Sequence, residues 1–142
     1  MSRLLSTFVL VIGFLLPHAL AAKGPLTAEE SAINTVIQAQ LDAFRRHDAK
    51  AAFSYAAPGI QAKFRTAENF ISMVATQYLP LYSPKRVEFL GLSQERGGVL
   101  QRLKVLGPDD REYVAYYPME RQPDGSWRIG GCFIEPAAGF DA

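Results

Sequence analysis

The side chains that could carry chemistry are few. Beyond residue 21 there is one Cys, Cys132, and one His, His47. Two carboxylates, Glu120 and Asp124, lie near a turn, and Tyr78, Tyr82, Tyr113, Tyr116 and Tyr117 form an aromatic set with Trp127. A general base needs a partner that orients it. His47 has none at recognisable spacing, and its place at a helix C-terminus suits a cation stabilised by the macrodipole. One His, one Cys and scattered carboxylates are not the clustered ligand set that zinc or iron requires. No glycine-rich loop follows a strand, and Gly130-Gly131 lies within one, so a phosphate cradle has no motif. Asp124-Gly125 is first of all turn chemistry. Glu120 would act as an acid only if burial tuned its pKa. No catalytic residue, metal ligand or cofactor is assigned.

The aromatic set is more suggestive of a pocket, against the plainer reading of sheet core and surface. Tyrosines have apolar bodies with polar tips, and pockets are built of such groups with a few placed polar ones. Strands also favour aromatics for packing alone. Tyr116 and Tyr117 are adjacent and face opposite sides of their strand, so at most one of them lines a pocket. Cys132 has no partner within the chain for a disulfide. A lone Cys in an exported protein is either buried or a reactive thiol, and its place inside an apolar strand favours burial.

The elements that must position these groups follow from periodicity. Thr27 and Glu30 form a capping box. The helix that follows carries Ile33, Val36, Ile37, Leu41 and Phe44 on one stripe, with Gln40 in that stripe at a rim or aimed into a cavity. His47-Asp48 ends it, and Asp48 caps a second helix, Ala49 to Ala56. Ala57-Pro58-Gly59 reads as a stop and Ile60 to Arg65 as an irregular connector. Thr66 caps a third helix, Ala67 to Tyr78, after which Pro80 and Pro84 hold the chain extended. The period then changes to two. Strands are expected over Lys85 to Ser93, Val99 to Leu106, Glu112 to Arg121 and Trp127 to Ile134. Val99, Gln101, Leu103 and Val105 face one way and Arg102 and Lys104 the other. Pro118 cannot donate to a ladder and marks a bulge or edge, and Gly130-Gly131 marks a bend. The reading is an α+β domain over 27–135, with three N-terminal helices on one side of a curved four-stranded antiparallel sheet and 136–142 a loose tail.

The first residues differ. One positive charge at Arg3, an apolar run from Leu4 to Leu16, and Ala19-Leu20-Ala21 have the layout of a secretory signal peptide over 1–21. The run is short of the roughly 20 residues a membrane span needs; an uncleaved anchor is the alternative. No Cys follows it, as lipoprotein processing would require. The 15 Lys and Arg become one fewer without Arg3 and then balance the 14 Asp and Glu. A neutral domain has no electrostatic footprint for nucleic acid and no polybasic segment for anionic lipid. The expected location is therefore the periplasm or the exterior, free of the membrane after cleavage.

The stretches QAQLDAFRRHDAKAAFSYAAPGI, FISMVATQYLPLY and YYPMERQPDGSWRIGGCFI, in that order, resemble the bacterial family catalogued as domain of unknown function 4864. The Met119 to Cys132 segment is the most specific part. The family looks like a branch of the cone-shaped superfamily named after nuclear transport factor two, also described as cystatin-like. The resemblance implies a bent sheet wrapping the long helix around a cone-shaped pocket. Some members of that superfamily are isomerases, dehydratases or cyclases and others only bind; fold alone does not choose, and no catalytic residue carries over. The pocket candidates are Tyr78, Gln101, Tyr116, Tyr117 and Cys132. The first functional expectation is a non-enzymatic binding or accessory domain for a small apolar or amphipathic ligand or a protein. The second is a small isomerase, dehydratase or hydrolase using a Tyr or carboxylate in the cone. The third is a homodimer through the outer sheet face, near Arg102, Lys104, Glu112 and Arg121.

Overall fold

The computed structural model describes residues 24–138; the expected signal peptide over 1–21 lies outside them. Helix α1 (Ala28–Arg45) begins with the capping box read from the sequence. Glu30 N–H donates to Thr27 Oγ1 at 3.1 Å, and Thr27 N–H donates to Glu30 Oε2 at 3.2 Å. Two otherwise orphaned donors are thereby satisfied. Thr27→Ala is expected to cost about 0.5–2 kcal/mol. Urea unfolding checks this, with Thr27→Asn keeping most of the stability.

The other end of α1 closes with two backbone bonds, His47 N–H to Phe44 O at 3.0 Å and Asp48 N–H to Ala43 O at 2.9 Å. This is the Schellman arrangement, with His47 at φ 55° in the left-handed position usually held by glycine. Asp48 then caps α2 (Ala49–Ser54) through Ala51 N–H at 3.0 Å.

Among the described residues there are five helices where the periodicity predicts three. The supposed connector after Ala57 is α3 (Pro58–Phe64), followed by α4 (Ala67–Gln77) and a single turn, α5 (Leu79–Tyr82). Both missed helices carry proline in their first turn. Proline there lacks only an N–H that has no intrahelical partner, so Pro58 and Pro80 open helices rather than ending or extending the chain.

The sheet is antiparallel and open. β1 (Arg86–Glu95) pairs with β2 (Gly98–Leu106), and β2 with β3 (Glu112–Arg121). The far side of β3 is shared by β4 (Trp127–Ile129) and β5 (Phe133–Pro136). The expected last strand is thus broken in two at Gly130 to Cys132, and β5 runs one residue into the expected tail. Pro118 accounts for the break. Its carbonyl accepts from Gly130 N–H at 2.7 Å, so its missing N–H faces the same side, where the ladder stops. The outer edge of β4 is covered by the α2–α3 connection, with Ala57 N–H donating to Ile129 O at 2.8 Å and Ile129 N–H to Tyr55 O at 2.9 Å.

The core lies between α1 and one sheet face. Ile33, Ile37, Leu41 and Phe44 of α1 are buried in one cluster with Leu103, Val105, Ala115, Tyr117, Met119 and Ile129. Arg102 and Lys104 face outward, and Lys104 Nζ pairs with Glu112 Oε1 at 3.2 Å. Helices followed by an antiparallel sheet make the architecture α+β. Among the described residues no helix is long and apolar enough to cross a membrane.

Candidate functional site

A cavity of about 580 Å³ opens between α3, α4, the end of α1 and the β3–β4 part of the sheet. Its size is within the roughly 300–1,000 Å³ of small-molecule sites. The walls are mainly apolar and include several aromatic rings. Phe44 comes from α1, Ile60 and Phe64 from α3, Phe70, Met73 and Val74 from α4, and Ile129 from β4. The rings form a continuous set. Phe70 meets Phe44 at 6.3 Å, Phe53 at 5.3 Å and Phe64 at 5.8 Å between centroids. The only charged side chains at the cavity, among the described residues, are Lys63 and Glu120, both exposed. Glu120 lies over Gly130, where a Cβ would come within 2.6 Å of Glu120 Oε2.

Tyr78, Tyr117 and Cys132 line this cavity; Gln101 and Tyr116 do not. The alternation in β3 decides between the tyrosines. Tyr117 shares the inner face with Ala115 and Met119 and is 1% exposed. Tyr116 is on the outer face, where it stacks on Phe133 at 4.9 Å and its hydroxyl donates to Glu135 Oε1 at 2.7 Å. That bond to a carboxylate raises the Tyr116 pKa. Gln101 sits opposite Tyr117 in the β2–β3 register and is fully buried. Its Nε2 turns back to Arg102 O at 2.9 Å rather than reaching the cavity.

The polar groups at the inner wall are held in neutral form. Burial pushes the Cys132 thiol up to about 12, although the residue as a whole keeps part of its surface exposed. A thiol in that range is protonated at neutral pH and is not a nucleophile. Tyr78 donates to Cys132 O at 3.0 Å, and burial raises its pKa as well. Burial likewise drives Tyr117 well above an ordinary phenol. The Tyr117 hydroxyl is buried and makes no hydrogen bond of ordinary geometry; the polar group nearest in effect is the Cys132 thiol. An unsatisfied buried hydroxyl costs about 1–3 kcal/mol. Gln40, the polar residue in the α1 stripe, also lines the cavity and is anchored by Nε2 to Ala52 O at 3.1 Å.

The part of the wall that α3 supplies is not expected from the sequence, because α3 itself is not. Its Ile60, Lys63 and Phe64 are spaced at three and four, the helical signal, but the preceding Pro58 was read as a stop. Among the described residues no group of three or more His, Cys, Asp or Glu is placed to hold a metal ion. His47 does not line the cavity; its Nδ1 is 2.7 Å from Tyr82 Oη.

No curated protein matches the chain. The family described as Domain of unknown function (DUF4864) matches residues 26–142, which takes in every helix and strand from α1 to β5. The chain belongs to that family.

Proposed function

We propose that this domain binds a small amphipathic molecule in the α3–α4 cavity and does no chemistry on it. The observation that carries the reading is a cavity of about 580 Å³ whose mainly apolar walls include Phe44, Phe64 and Phe70, with the ionisation of Cys132, Tyr78 and Tyr117 opposed by burial and the charged Lys63 and Glu120 left exposed. Such a site gains affinity by removing apolar ligand surface from water, at about 25 cal/mol per Å². It offers no activated nucleophile and no placed acid–base pair. The antiparallel sheet packed on one long helix supports placing the family in the nuclear transport factor two-like superfamily. The N-terminal apolar run and the near-balance of charge support an exported, unattached location for the binder.

Titration with N-phenyl-1-naphthylamine, a neutral apolar dye that fluoresces when dehydrated, tests the site. Saturable binding of one dye per chain is expected. Met73→Trp, which adds bulk from α4 to a half-buried wall position, is expected to weaken binding at least tenfold while the far-ultraviolet circular dichroism stays the same. Undiminished binding in that variant, or none in the parent, would overturn the reading.

A further inference from the structure

Gln40 gives the cavity a polar point of its own. It stands in the buried stripe of α1, is 4% exposed and lines the cavity. Its Nε2 donates to Ala52 O at 3.1 Å. A carbonyl oxygen only accepts, so this bond fixes which end of the amide is nitrogen. Oε1 is the end left over, and no described residue donates to it. Among the described residues, the side-chain polar atoms both unpaired and closed off from solvent are Asn34 Oδ1, Gln101 Oε1 and Tyr117 Oη. Gln40 Oε1 is unpaired but not closed off, and the surface it keeps belongs to a residue of the cavity wall. The donors of that wall serve other groups or lie at its rim. Tyr78 donates to Cys132 O at 3.0 Å, the Tyr117 hydroxyl interacts with the Cys132 thiol, and Lys63 and Gln77 are exposed.

Building on the binding function proposed above, we infer that the ligand is an uncharged amphiphile whose polar end is a hydrogen-bond donor, an alcohol O–H or an amide N–H, presented to Gln40 Oε1. A ketone, ether or ester offers only acceptors and would leave Oε1 unpaired beneath it. A carboxylate is also an acceptor, and at that depth it would lose its hydration without meeting a cation, since Lys63 is exposed. An ammonium can donate, but one neutral oxygen does not replace its hydration shell, and Glu120 is exposed as well. A neutral donor is the group that completes Oε1 at the smallest desolvation cost. The apolar remainder of the ligand is left to Phe44, Phe70 and Val74, buried members of the same lining.

Displacement of N-phenyl-1-naphthylamine by four competitors tests this: 1-octanol, its isomer 1-methoxyheptane, and the ions octanoate and octylammonium at neutral pH. The parent protein is expected to prefer the alcohol over the ether by about tenfold, the scale of one hydrogen bond to a group otherwise left unpaired. Both ions are expected to compete more weakly than the alcohol. In Gln40→Met, which keeps the length of the side chain and removes Oε1, the preference for the alcohol should disappear. The ratio of alcohol to ether is read within each protein, so a change in dye affinity cancels. If the variant does not fold, the parent's ratio decides by itself. Equal affinity for alcohol and ether in the parent, an ion that competes as well as the alcohol, or a preference that survives in Gln40→Met overturns the neutral-donor assignment and leaves the pocket reading standing. Failure of the dye to bind the parent overturns the pocket reading itself.

Discussion

Phe70→Ala is expected to lower the unfolding free energy by about 3–5 kcal/mol, the range for truncating a buried aromatic residue. Phe70 is 6% exposed and its ring meets those of Phe44, Phe53 and Phe64. These four rings come from α1, α2, α3 and α4, so one side chain ties four helices together. Truncation removes the transfer energy of the ring and the edge and tilted ring contacts, each worth about 0.5–1.5 kcal/mol beyond area. It also leaves a void beside an existing cavity, where collapse has little to fill it. Against a typical total of about 5–15 kcal/mol, the loss is large enough to show as a fall in the urea midpoint. Phe70→Leu should recover much of it. A loss below about 1 kcal/mol would mean that the rings do not form the shared contact described.

Leu103→Ala is expected to cost about 2–5 kcal/mol, and Leu100→Ala on the same strand much less. Leu103 is 0% exposed within the inner-face cluster that α1 covers. Leu100 is three residues away, on the opposite face, and half-buried. The pair of variants tests the pleat and the register together, because a slip of one residue would exchange the two faces. Equal losses at both positions, measured by thermal and urea unfolding, would contradict the observed pairing of Leu103 with Ala115.

The strands and the first helix were legible because their signals are local. The inner positions Gln101, Leu103 and Val105 alternate with Arg102 and Lys104, and the capping box at Thr27 and Glu30 marks a helix start without reference to the rest of the fold. The prolines were ambiguous for a physical reason. Pro58 and Pro80 end one helix or begin another depending on whether the residues after them find something to pack against, and that is a tertiary fact. The site was legible only in part. Alternation guarantees that Tyr116 and Tyr117 diverge, but which of them points inward depends on the β2–β3 register, and no residue pair near the turn announces it. Gln101 follows the inner-face rule and still misses the cavity, since the cavity lies over the β3–β4 side of the sheet rather than over its centre.

The irregularity in β1 has a consequence for how the molecule behaves among its own copies. Among the described residues β1 has no strand on its far side, and its register against β2 shifts between Phe89 and Gly91, with Gly91 at φ 121°. A straight, fully paired edge is a template on which another chain can add strands. The kink at Gly91, flanked by exposed Arg86, Glu88 and Glu95, makes a poor template. Loss of this glycine, which does not line the cavity, is therefore expected to favour association through the edge, and crowding or high concentration are the conditions under which that is felt.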